Sequence, residues 1–557
     1  MSLIGKIALI LTLLVLPSSS LAQTRASVDV GQLSEIKPFS ITALTDSQRK
    51  LPQEQWLNSD VQVLQELMAE LPAHISSRAI NNLLIRSLLS GGEAPDSDTS
   101  LEKLMELRLN SSYSLGQLDA VIQIAARSPK GYQDPEIAAT ALNALLAIGD
   151  TQTACSIAEQ LNQARSATFW LQVRAFCLAA ASNIAGAELT AELAMSSDPE
   201  DTNFLTRISR ITTPPKEKER VSPSSALELA MIRSAKDEVD LEGLALPLQV
   251  GTGRENTASA IDTIFDAFIS GAISAEEISQ RLLAYAKTFK AAKILETDTP
   301  ELSSEPKPTA FEQELAALKQ AKSLLGLDRI ASLLTLANGP YDPKIRAESL
   351  TLLLEPKPDF PKWLALNQLI EIKSRSLTPN VSLKQYATVL ARASLLAGKA
   401  RQAKQWLSIL ESTERSIALI DMPLIATNQG FTLQEQSLQE QINGDAAQQN
   451  LLISDLMALQ AINVQLSPKL RQWVSNRPET EGQACESYKL SALAASAQAG
   501  AIAETILRAA NIMRSDGFDR LSNHCNQAIV SALWNVGLTE EAQLAAIEWM
   551  FARRQMQ

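Results

Sequence analysis

Hydrophobic positions recur at helical spacing along most of this chain. Val61, Leu64, Leu67, Met68 and Leu71 fall on one face of residues 61–71, and Ile75, Ile80, Leu83, Leu84 and Leu88 repeat the pattern over residues 74–89. Residues 91–100 (GGEAPDSDTS) form a loop by every breaker signal. Helical spacing resumes at Leu101 and runs to about Ile211. Two Pro-rich, charged linkers follow, TPPKEKERVSPSS at 213–225 and ETDTPELSSEPKPTA at 296–310. Between them lies a Gly-bearing break at 246–254, then helices near 258–270 and 275–289, the second opened by a Ser274/Glu277 capping box. Beyond Phe311, helix follows helix, with breaks at 338–343, 355–361, 379–382, 430–431, 477–482 and 516–517.

This pattern predicts an all-α fold, an α-solenoid or superhelix of antiparallel helix pairs. The expected organisation is a leader at 1–22, an N-terminal helical repeat region at 23–212 that opens on an irregular stretch to about residue 52, a linker at 213–225, a middle helical region at 226–295, a second linker at 296–310 and a C-terminal helical repeat region at 311–557. Composition agrees. Hydrophobic residues make up 45% of the chain but aromatics only 4%, and small, unbranched apolar residues favour close helix packing over strands.

The first residues carry an export pattern. Lys6 precedes the uncharged, apolar run 7–16 (IALILTLLVL), and Ser20-Leu21-Ala22 offers small residues for cleavage between Ala22 and Gln23. An uncleaved anchor is the alternative, but the run falls short of the roughly 20 residues a bilayer span needs. Position 23 is Gln rather than Cys, so no lipid anchor is expected. No later run approaches membrane length, and the expected location is the periplasm, with secretion as the alternative. The net charge of −12 becomes −13 once Lys6 is removed, which argues against nucleic acid and anionic lipid as partners.

Four cysteines suit an oxidising compartment. Cys155 and Cys177 flank a turn near 163–167 at similar distances, so an antiparallel pair would place them level. Cys485 and Cys525 each fall near a helix start with one helix between them. The expected bonds are therefore 155–177 and 485–525. Four buried thiols are the alternative, and the spacing excludes a Cys-rich zinc site.

One local pattern recurs. Gly149 precedes Ala154, Gly398 precedes Ala403 and Gly537 precedes Ala542, each by five residues, between two apolar helical stretches. The Gly can end the first helix in the left-handed conformation, and the Ala lets the second approach closely. Residues 182–187 and 500–504 look like degraded copies, and Asp134-Pro135, Asp198-Pro199 and Asp342-Pro343 suit helix starts. This turn resembles that of tetratricopeptide-type repeats. Leu142, Ala391 and Val530 stand where those repeats carry a small residue, and the period of about 34 residues is not sustained. The resemblance implies stacked helix pairs that bind protein partners.

Candidate chemistry is sparse. The two histidines, His74 and His524, exclude a three-His metal site, and no cofactor or metal is expected. His524 adjoins Cys525, but a disulfide sulfur is no nucleophile. His74 reads as a surface or capping residue. Ser304-Glu305-Pro306-Lys307 matches S-x-x-K inside a linker, Gly251-Thr252-Gly253 lacks a dinucleotide loop's third Gly, and Asp237, Glu238, Asp240 and Glu242 read as a solvated helix end. Glu486-Ser487 resembles the catalytic pair of soluble lytic transglycosylases, whose non-catalytic part is an Ala-rich superhelix, but that family's later substrate motifs are missing. The expectation is therefore a non-enzymatic scaffold or adaptor for protein partners of a cell-envelope assembly (secretion, appendage or peptidoglycan machinery), with Trp56, Trp363, Trp406, Trp473, Trp534 and Trp549 as candidate anchors. The alternative is an envelope carbohydrate-active enzyme related in architecture to that superhelix and using a carboxylate pair. The pattern assigns no oligomeric state.

Overall fold

Side-chain caps set many of the helix starts. The computed structural model of the chain describes residues 37–45, 48–95, 101–254, 258–288, 309–411, 421–427, 433, 435–477, 482–514 and 516–555. The leader with Ala22 and Gln23, the S-x-x-K match and the break at 430–431 lie outside them. The first helices are α1 (Val61–Ala69), α2 (Arg78–Leu89), α3 (Glu102–Ser114), α4 (Leu118–Arg127), α5 (Pro135–Ile148), α6 (Thr151–Gln160), α7 (Thr168–Ala180), α8 (Ile184–Ser197) and α9 (Thr202–Thr212). Then come α10 (Ala226–Ala235), α11 (Leu246–Thr252), α12 (Ala258–Ile269), α13 (Ala275–Thr288), α14 (Ala310–Ser323), α15 (Gly326–Asn338), α16 (Pro343–Leu352), α17 (Phe360–Ser374), α18 (Ala387–Leu396) and α19 (Ala400–Leu407). The last are α20 (Asp421–Ala426), α21 (Gln439–Ile442), α22 (Ala446–Ala461), α23 (Pro468–Ser475), α24 (Ser487–Gln498), α25 (Ile502–Met513), α26 (Gly517–Arg520), α27 (Asn523–Asn535) and α28 (Thr539–Gln555). The fold is all-α. The strands among the described residues are β1 (Arg220–Val221) and β2 (Glu238–Val239), paired in parallel.

Local chemistry explains these bounds and several departures from expectation. Asp134 accepts hydrogen bonds from the N–H groups of Glu136 and Ile137, and Pro135 opens α5 where its missing N–H costs nothing. Asp342 and Pro343 open α16 in the same way. Asp198-Pro199 starts no helix, because Asp201 caps α9 instead. Residues 74–77 stay outside α2, whose cap is Ser77. Residues 246–254, expected as a break, contain α11. Gly251 is there for proximity: a Cβ on it would lie 2.3 Å from the carbonyl oxygen of Ala147, on the packed face of α5. The acids after α10 do not end a helix in solvent. Glu238 and Val239 form β2, Asp237 accepts two hydrogen bonds from Arg210, and Asp240 pairs with Arg220 at 2.9 Å.

Most consecutive helices pack as hairpins, among them α4 with α5, α7 with α8, α15 with α16, α18 with α19, α24 with α25 and α27 with α28. Buried alanines such as Ala138, Ala141, Ala144 and Ala147 keep these helices close. The chain also meets itself at long range. Helices α1 and α2 pack against α25, and α2 packs against α28 as well. Asn511 of α25 donates to the carbonyl of Leu67 at 3.0 Å. The residues from Lys37 onward thus form one unit in which early helices dock on late ones.

Candidate functional site

The expected repeat turns are built alike. Gly149, Gly398 and Gly537 have φ of +86°, +69° and +90°, a region that disfavours side chains. Ala154, Ala403 and Ala542 are fully buried in the helices that follow. Ser182 and Gly500, in the two weaker copies, also take positive φ, of +63° and +71°. Leu142, Ala391 and Val530 are all buried, so Leu and Val are accommodated at that position as well as Ala.

Two of these hairpins neighbour disulfides. The sulfurs of Cys155 and Cys177 lie 2.00 Å apart and join α6 to α7. Those of Cys485 and Cys525 lie 2.24 Å apart and join the lead-in of α24 to the first turn of α27. The Cα separations, 5.5 and 5.8 Å, are those of levels shared by packed helices.

The candidate chemical residues do not converge. Glu486 is exposed and pairs with Lys489 at 2.6 Å, which holds its carboxyl below the usual range. A general acid needs the opposite shift. His74 lies in the loop before α2, its pKa lowered by burial, and His524 is exposed on α27. Gly251 and Thr252 are buried within α11. Of the candidate tryptophans, Trp56, Trp363, Trp406 and Trp549 are core residues and present no outer surface. Trp473 and Trp534 are half-buried, and the guanidinium of Arg477 lies 4.0 Å from the Trp473 ring. Among the described residues no group of His, Cys, Asp and Glu could hold a metal ion.

A buried electrostatic seam joins distant elements, and local sequence patterns do not reveal it. The backbone N–H groups of Arg78 and Ala79, at the start of α2, donate to the Glu548 carboxylate of α28 at 3.1 and 2.7 Å. The Arg78 guanidinium donates to the carbonyl of Phe268 on α12 at 2.5 Å and to Gln368 of α17 at 2.8 Å. Arg86 pairs with Glu541 at 3.0 Å. Burial pushes the Glu548 carboxyl up to about 7, against the pull of the helix N–H groups and Arg78, and brings Arg78 down to about 10. These groups line a cavity of about 70 Å³. Small-molecule sites occupy a few hundred Å³ or more, so this one has room for water rather than a sugar ring. The available signal was a charge inside an apolar run, Ala-Ile-Glu548-Trp-Met.

A second acidic group joins α12, α13 and α15. Burial raises Asp262 and Asp266, each reinforced by a neighbouring carboxylate, while Asp328 accepts a 2.7 Å hydrogen bond from Tyr285 and holds that phenol up at about 12. Asp262 and Asp266 are nevertheless exposed overall, one helix turn apart on α12.

An apolar surface lies elsewhere. Helix α8 turns Ala187, Ala191 and Ala194 inward and leaves Leu189 and Leu193 62% and 51% exposed on its outer side. Ile184 of α8 and Leu205 of the packed helix α9 are also exposed. Comparison with protein-family models, with curated proteins and with solved structures finds no match.

Proposed function

We propose that the chain is an exported helical-repeat scaffold of the periplasm that docks protein partners of a cell-envelope assembly. The outward leucines of α8 carry this reading. Burying Leu189 and Leu193 inside the fold would be favourable by about 2 kcal/mol each, yet both face water. A contiguous exposed apolar patch is a recognised mark of a partner site, whereas single exposed apolar residues are common. The helix itself is held firmly from behind by α7, which the Cys155–Cys177 bond ties to α6.

Several features support the rest of the reading. Left-handed turns at Gly149, Gly398 and Gly537 join packed helix pairs, which supports a tetratricopeptide-like reading, and such solenoids bind partners along extended surfaces. Two disulfides suit an oxidising compartment reached by cleavage after Ala22. Among the described residues no helix is long and apolar enough to cross a membrane. The test is to tag the chain at its C-terminus in its own host, crosslink intact cells and identify what co-purifies. A reproducible partner set from one envelope machine is expected. Release of glycan or peptide from cell wall by the purified chain, with no partner captured, would overturn the proposal in favour of carboxylate-based hydrolysis.

A further inference from the structure

The chain is acidic, with a net charge of −12, yet two neighbouring hollows on it are lined by cations and by no Asp or Glu. One, of about 500 Å³, is bordered by Arg375, Lys399 and Arg401. The other, also about 500 Å³, is bordered by Arg346, Lys373 and the same Arg375. Both open to solvent where α15, α17 and the α18–α19 turn come to the surface.

Three of the five cations have work within the fold. Arg346 donates to the carbonyl of Ala337 at 3.1 Å, and Lys373 donates to Asn338 at 2.9 Å, both at the end of α15. Arg375 ends α17 and donates to both oxygens of buried Glu371 at 2.9 and 2.7 Å, with Glu276 at 3.7 Å. Positive charge is favourable at helix C-termini. Lys399 and Arg401 stand at the opposite kind of place. Lys399 is the N-cap of α19 without a side-chain cap bond, and Arg401 lies in the first turn, so both charges oppose the helix dipole. Both are exposed, and neither has an acidic partner among the described residues. Fold stability does not account for them.

We propose that these paired hollows bind a short acidic segment of a partner protein, its carboxylates meeting Lys399, Arg401 and Arg375. The proposal deepens the scaffold reading and rests on it. Net charge selects the occupant. Charges are felt over a screening length of about 8 Å, so a short segment confined to the basic zone is attracted. A long polyanion or an anionic bilayer would extend beyond the hollows and meet a chain whose net charge is −12. The hollows are too open to enclose a lone small anion, and the apolar walls, Leu377, Pro379 and Ile372, suit a chain with side chains between its acids.

The test is fluorescence anisotropy of a dye-labelled Glu/Ser peptide titrated with the intact chain, with Lys399→Glu/Arg401→Glu and with Lys216→Glu/Lys218→Glu. The last pair lies in an exposed loop and controls for net charge. Thermal unfolding checks that each variant is folded. Binding is expected to weaken with salt and to fall at least about tenfold in the first variant but not in the control. Equal binding by all three chains, or no binding by the intact chain, would overturn the proposal. So would displacement of the peptide by inorganic phosphate at constant ionic strength, or stronger binding to phosphatidylglycerol vesicles than to the peptide. Cell crosslinking separates the two levels: an unchanged partner set in Lys399→Glu/Arg401→Glu refutes the hollows alone, and an empty one in the unaltered chain refutes the scaffold.

Discussion

Glu548 is where one residue has most leverage. Its carboxyl titrates near 7 when folded, against about 4.5 in the unfolded chain. Below about pH 4.5 it is neutral in both states and carries no penalty. Between there and about pH 7 the unfolded state gives up its proton first, so this group's contribution falls as pH rises. Glu548→Gln does not titrate. The unfolding free energy of the natural chain should therefore drop relative to Glu548→Gln, by on the order of 3 kcal/mol between pH 4.5 and pH 8. A difference that stays flat with pH, in paired denaturant titrations, would refute the buried ionisation. Glycine separates two uses of the same residue. Gly149→Ala should cost about 1 kcal/mol, since φ is +86° and only the tip of Arg233 comes within 4.0 Å. Gly251→Ala should cost more, about 3 kcal/mol, because the new Cβ meets Ala147 backbone. Equal midpoints in urea for the two variants would contradict that distinction. The same pair shows the limit of reading locally: Gly149 ends a helix as its neighbours suggest, whereas Gly251 looks like a breaker until α5 is placed against it.

At the level of elements, helix faces were legible because the 3.6-residue spacing is local, and Asp-Pro or Gly signals marked many ends. Starts that depend on a choice among several capping residues were less so: α2 begins after Ser77 rather than at His74, and Asp201 rather than Asp198 begins α9. The cysteines were readable from helix level alone. Replacing Cys155 and Cys177 by Ser opens a link across 22 residues and should cost about 3 kcal/mol. Thermal unfolding with and without reductant checks this. A melting temperature indifferent to both reductant and substitution would contradict a stabilising constraint of the unfolded chain by this bond.

For the whole molecule, the features that matter most join distant parts of the chain. Arg78 and Glu548 are 470 residues apart, and no window of sequence contains both. Candidate anchors were misplaced for a related reason. Four tryptophans at helical spacing proved to be core, while exposed apolar side chains include ordinary leucines on α8, whose exposure depends on which helix lies behind them. The outward face of α8 is proposed to meet a protein. A photo-reactive residue in place of Leu189, irradiated in the exporting host, tests it most directly, with the same residue at exposed Lys216 as the control. The account predicts a defined protein adduct at 189 that is absent at 216. Equal labelling at both positions, or none at either, would contradict it.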